Sequence, residues 1–120
     1  MNKIEKIEAF KLRTKQFAIR IIKLFQNLPK TDEARVIGKQ LLRSATSTAA
    51  NYRAACRARS DADFFSKISI VLEEADETLF WIEILIETEI MNGERLKPLY
   101  IEAEEIVKII NTIRHNRKSK

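Results

Sequence analysis

Residues 40–60 read QLLRSATSTAANYRAACRARS, a run with no glycine, no proline and four arginines. Nothing in it breaks a helix, and its small residues give up bulk where a helix normally packs. On a wheel of about 100° per residue, with Arg35 at zero, Lys39, Arg43, Arg53 and Arg57 fall within about 80° along a stripe of about 33 Å. Thr46 and Ala50 lie in the gap of that stripe. A second stripe holds Gln40, Ser44, Ser47 and Asn51, whose short polar side chains let a neighbouring backbone come close. The third face, with Ile37, Leu41, Ala45, Thr48, Tyr52, Ala55 and Cys56, is the core face. One helix thus has a cationic face, a close-packing face and an apolar face, as a helix bundle requires.

Outward from this segment the chain carries only two glycines and two prolines in 120 residues. Turns and strands use those residue types, so long helices with short connections follow. Ile4, Ile7, Leu12, Phe17, Ile21, Leu24 and Leu28 recur at helical spacing, predicting a first helix over 3–27 that Pro29 ends. Thr31 is the expected N-cap of a second helix over 32–59, with Asp32 and Glu33 facing its positive end. Ser60 and Asp63 resemble a capping box opening a third helix over 61–91. Asn92-Gly93 is expected to close that helix with left-handed backbone. A fourth helix over 94–114 tolerates Pro98 near its first turn, and a basic tail over 115–120 follows. The expected fold class is all-α: one antiparallel up-down-up-down four-helix bundle over residues 1–120.

Hydrophobic residues make up 45% and charged residues 32% of the chain, a globular balance. No apolar run approaches the roughly 20 residues of a membrane span. MNKIEKIEAF mixes acids with lysines and does not read as a signal peptide. The single cysteine, Cys56, suits a reducing compartment, so a cytoplasmic location is expected. Net charge is +5, but residues 60–91 carry nine Asp/Glu against Lys67 alone. An acidic helix among basic ones invites helix-to-helix pairing.

Within the acidic segment, TLFWIEILIE (78–87) is apolar almost all the way round. Leu79, Phe80, Trp81, Ile82, Ile84, Leu85 and Ile86 leave only the arc of Asp76, Glu83 and Glu87 polar. A bundle helix needs an apolar stripe of about 100° or a little more. The excess implies burial against a further copy of the chain, so homo-oligomerisation is expected. Gln40, Ser44, Ser47, Asn51, Glu74, Glu77, Phe80, Trp81 and Ile84 are the candidates for a subunit interface or close helix packing.

The cations have three open uses: pairing with the third helix, an ordinary solvated face, or neutralising nucleic-acid phosphates. The nucleic-acid candidates are Arg35, Lys39, Arg43, Arg53 and Arg57, with Arg13, Arg20 and Lys23 of the cationic first helix. Catalytic chemistry lacks parts. Glu73 to Glu77 (EEADE) invites a carboxylate metal site, but four-helix metal sites of that kind use Glu-x-x-His, and the one histidine, His115, stands alone. Cys56 has no histidine near it in sequence, Ser44 and Ser47 have no base, and two glycines build no phosphate loop. No cofactor, no metal and no enzymatic activity are expected.

The passages GKQLLRSATSTAANYRAACRARS (38–60) and DFFSKISIVLEEADETLFWIEIL (63–85) resemble the bacterial four-helix bundle proteins named after the intervening sequences of 23S ribosomal RNA genes. Accessory variability determinant proteins of diversity-generating retroelements belong to the same group. Gln40-Leu41-Leu42-Arg43-Ser44, Ser47, Asn51, Glu74-Ala75 and Glu77 fit the family pattern. Many members continue the Asn with Ile-Ala-Glu-Gly, where this chain has Tyr-Arg-Ala-Ala, which places it in a subgroup. The resemblance implies an antiparallel four-helix subunit, a ring-like homopentamer and no known catalysis. Retroelement members are thought to bind nucleic acid through a basic surface and to bind a reverse transcriptase as protein partner.

Overall fold

Four helices follow one another in the computed structural model: α1 (Lys3–Gln26), α2 (Asp32–Ala55), α3 (Asp61–Glu87) and α4 (Gly93–Lys118). The structure describes residues 1–118; Ser119 and Lys120 of the expected basic tail lie outside them. No strand occurs among the described residues.

Each helix starts where a side chain satisfies the exposed amides of its first turn. Asn2 and Glu5 form a reciprocal capping box at α1. Thr31 accepts from the Ala34 amide at α2, and Ser60 accepts from the Asp63 amide at α3. The carboxylate of Asp63 reaches back to the Arg59 amide, one residue before the cap. Asn92 accepts from the Glu94 amide at 2.8 Å, so the Asn-Gly pair opens α4 and does not close α3.

The helix ends correct the reading of the sequence. α2 stops at Ala55, four residues before the expected Arg59, because Ser60 must leave helical backbone to cap α3. Arg57 therefore sits in the turn beyond α2 and leaves the cationic stripe of the wheel. α3 stops at Glu87 instead of residue 91, and the left-handed residue that ends it is Glu89, with φ 56°; Gly93 has no positive φ. α4 runs to Lys118 instead of 114, absorbing most of the basic tail. Pro98 lies inside α4, exposed and six residues in.

Packing follows chain order: α2 meets α3 most extensively, α3 meets α4, α1 meets α2, and α1 touches α4 only lightly. Gly38 of α2 lies against Phe25 and Leu28, and Tyr52 meets Phe10 edge-on at 4.9 Å, so α1 and α2 run antiparallel. Arg114 bonds to Ser69 and Arg117 to Asp61, which sets α3 against α4 in the same sense. Between the helices, Ile21, Leu41, Ile68, Ile82, Leu85, Leu96, Ile106 and Ile110 are fully or almost fully buried. Each such side chain contributes roughly 1.5–3 kcal/mol relative to exposure.

Candidate nucleic-acid interface

A groove of about 510 Å³ runs between α1 and α2. Its rims are Lys11 and Lys15 on α1, and Arg53 in the last turn of α2 with Arg57 in the turn beyond it, each pair four residues apart. Its floor is Leu12, Ala18, Thr46, Ala49 and Ala50. The small side chains that interrupt the cationic stripe therefore make the depth between two cationic edges. Thr46 offers no free donor, since its hydroxyl donates to the Leu42 carbonyl at 2.8 Å. Glu8, at one end, is held by Lys11 at 2.8 Å. Lys15, Arg53 and Arg57 are exposed and make no salt bridge among the described residues.

The other candidate cations divide by partner. Arg13 forms a two-pronged pair with Glu102 of α4, both bonds at 2.7 Å, and reaches Glu105 at 3.2 Å. Hydrogen bonding to Glu102 holds its pKa up against a smaller burial effect, and the same bond holds the Glu102 carboxyl below its ordinary value. This pair spans the seam where α1 and α4 otherwise barely meet. Arg43 crosses from α2 to α3, bonding Glu77 and Glu74 (2.9 Å to the latter) while taking 3.3 Å support from Gln40. Glu77 also accepts the Trp81 indole N–H at 3.0 Å, the main cause of its lowered pKa, with Arg43 adding to it. Arg35 is tied to Asp32 one turn earlier, at 2.7 Å. Arg20, Lys23 and Lys39 are exposed and, among the described residues, outside any salt bridge. Of the eight cations singled out in the sequence, Arg53 and Arg57 line the groove; Arg13, Arg35 and Arg43 are engaged by carboxylates.

The candidate packing residues lie along the α2–α3 contact and the outer side of α3. Ser44 is wholly buried, donates to the Leu41 carbonyl at 3.2 Å and accepts from the Thr78 hydroxyl of α3 at 2.9 Å. The close crossing is thus made inside the subunit at this point. Asn51 is bonded within its own helix to the Ser47 carbonyl and hydroxyl, both at 2.8 Å. Around α3, Ile82 and Leu85 are fully buried, and Leu79, Trp81, Ile84 and Ile86 are half-buried. Phe80 remains 49% exposed, edge-on to Trp81, and Ile70 is 44% exposed. α2 and α4 therefore cover part of the apolar circumference of α3, and Phe80 and Ile70 are its most exposed apolar side chains.

Lys11 and Lys15 were not legible as site residues. Their four-residue spacing is a weak signal that gains meaning only once Ala49 and Ala50 are seen opposite. Cys56 is half-buried at the end of α2, and burial pushes its thiol up. No group of three or more His, Cys, Asp or Glu among the described residues is placed to hold a metal ion. No described helix is long and apolar enough to cross a membrane.

Residues 5–112 match the family model of the 23S rRNA-intervening sequence protein. A crystal structure of a protein with unknown function from the S23 ribosomal protein family of Bacteroides thetaiotaomicron superimposes with a TM-score of 0.84. The two sequences are 39% identical, and the match covers 92% of this chain and 98% of that one. No curated protein matches the chain.

Proposed function

The chain belongs to the 23S rRNA-intervening sequence protein family, and from that premise we propose that it is a non-enzymatic, homopentameric protein that grips RNA or DNA by the phosphates. The observation that carries this reading is the α1–α2 groove, where Lys15, Arg53 and Arg57 stand exposed around a floor of small residues. Clustered cations of this kind displace the counterions condensed on a nucleic acid and give strongly salt-dependent affinity. No aromatic ring lines the groove, so it offers no base-stacking platform and favours sequence-independent binding. Exposed Phe80 and Ile70 on α3, with Val36 on α2, are the apolar surface that copies of the chain would share.

A second reading draws on the pairs formed by Arg13 and Arg43: an adaptor whose cations are engaged in salt bridges and whose partner is a protein, such as a reverse transcriptase. Fluorescence anisotropy with a labelled RNA at about 50 and 200 mM salt separates the two. The proposed function expects binding at the lower salt that weakens by an order of magnitude or more at the higher, and that Lys15→Glu with Arg53→Glu abolishes. Absence of binding at low salt, or binding indifferent to salt, overturns it.

A further inference from the structure

On the opposite side of α1 from the basic groove, the seam between α1 and α4 is hollow. A cavity of about 700 Å³ at the end of the bundle and one of about 410 Å³ along the seam share Lys3, Ile7, Tyr52 and Ile113 as walls. The smaller is apolar in character, with Phe10 and Ile109 completing its sides and Arg13 at its far end. From Lys3 to Arg13 the helical rise gives it a length of about 15 Å. The larger is bordered by Arg59, Arg117 and Asp61. Volumes of this size between bundle helices, mostly apolar with a few polar groups at one end, are those of small-molecule sites.

The charges at the wide end have one sign to spare. Asp61 is neutralised by Arg117 at 2.7 Å, and that guanidinium also stacks 4.4 Å above the Phe64 ring. Lys3 and Arg59 make no salt bridge among the described residues; the Asp63 carboxylate that bonds the Arg59 amide is already paired with Lys67 at 2.6 Å. Tyr52 and Cys56, the remaining titratable groups of the wall, have their pKa pushed up by burial, so neither brings a negative charge at neutral pH. At the far end, Arg13 is already matched by Glu102 and Glu105. The seam thus has an apolar trough with unmatched positive charge at its wide mouth.

We propose that the α1–α4 seam binds one amphiphilic anion, its extended apolar chain lying along Ile7, Phe10, Ile109 and Ile113 and its acidic head between Lys3 and Arg59. The bare apolar trough rewards the chain, and the two unpaired cations select the sign of the head. This site is separate from the α1–α2 groove and does not depend on nucleic-acid binding.

Isothermal titration of the full chain with dodecanoate, below its micelle concentration, tests this. One molecule binds per subunit, and over octanoate, decanoate and dodecanoate the affinity rises about threefold to fourfold per methylene. Dodecyl phosphate binds comparably, whereas dodecyltrimethylammonium binds at least tenfold more weakly. Ile113→Trp, which fills the trough, and Lys3→Glu with Arg59→Glu, which lies on the surface and spares the core, each weaken dodecanoate at least tenfold. Equal binding of the cationic amphiphile, no dependence on chain length, or unchanged affinity in the surface double variant overturns the proposal. So does association with phosphatidylglycerol vesicles without any binding of monomeric dodecanoate.

Discussion

The Thr78 hydroxyl of α3 donates to the Ser44 hydroxyl of α2 across 2.9 Å, with both residues closed off from solvent. The Ser44 hydroxyl in turn donates to the Leu41 carbonyl, and the single Thr78 proton is shared between Ser44 and the Glu74 carbonyl of its own helix. Two small polar residues thereby hold the most extensive helix contact of the bundle at close range. Thr78→Val removes the bridging donor while conserving shape and is expected to cost about 1 kcal/mol. Ser44→Leu forces the helices apart and is expected to cost about 3 kcal/mol. Urea denaturation of the three proteins measures both.

Arg43 and Arg53 occupy one cationic stripe of the sequence but have different surroundings. Arg43→Ala leaves Glu74 and Glu77 without their guanidinium and is expected to lower stability by about 1 kcal/mol, with RNA affinity changed less than twofold. Arg53→Ala is expected to leave stability within about 0.5 kcal/mol and to weaken RNA binding severalfold. Thermal unfolding and anisotropy on both variants give the four values needed.

Glu102 and Glu77 are held below their ordinary carboxylate values, the first chiefly by Arg13 and the second chiefly by the Trp81 indole and then Arg43. A carboxyl whose pKa is lower folded than unfolded stabilises the fold above its unfolded value of about 4.3, and that contribution disappears as pH falls through the folded value. The unfolding midpoint is therefore expected to fall between about pH 5 and pH 3, with Glu102→Gln flattening that slope. Differential scanning calorimetry at several pH values checks the sign.

Glu89 adopts φ 56° where α3 ends, a conformation in which a β-carbon crowds the following carbonyl. Relieving it costs some unfolded-state entropy, since glycine is the freer residue. Glu89→Gly is expected to raise stability by about 0.5 kcal/mol, read as a higher urea midpoint at unchanged slope.

The N-caps Thr31 and Ser60 leave local marks that made the starts of α2 and α3 legible, whereas the Asn-Gly pair, expected to close α3, opens α4. The C-termini of α2 and α3 left none: Ala55 precedes no glycine, and α3 ends through a glutamate in a glycine-like role. The core face of α2 was largely legible from period alone: Leu41, Ala45, Thr48, Tyr52 and Ala55 are buried, while Ile37 and Cys56 of the same face are half-buried. The fate of each cation was not. Arg13 and Glu102 lie 89 residues apart, and only the fold shows that they meet. How much of the apolar circumference of α3 one subunit covers was not legible either, because a wheel shows where a side chain points and not how far its neighbours reach over it. Trp81, for example, lies half-covered with its indole bonded to Glu77.

Because every helix rests mainly on its predecessor in the chain, the native contacts join segments that are near one another in sequence. Loop-closure entropy is then small at each step, and such topologies reach the native state in microseconds to milliseconds. A nascent chain can form the α1–α2 hairpin before α3 has left the ribosome and add each later helix to a surface already built. Arg13 and Glu102, 89 residues apart, are the contrasting long-range closure that ties α1 to α4.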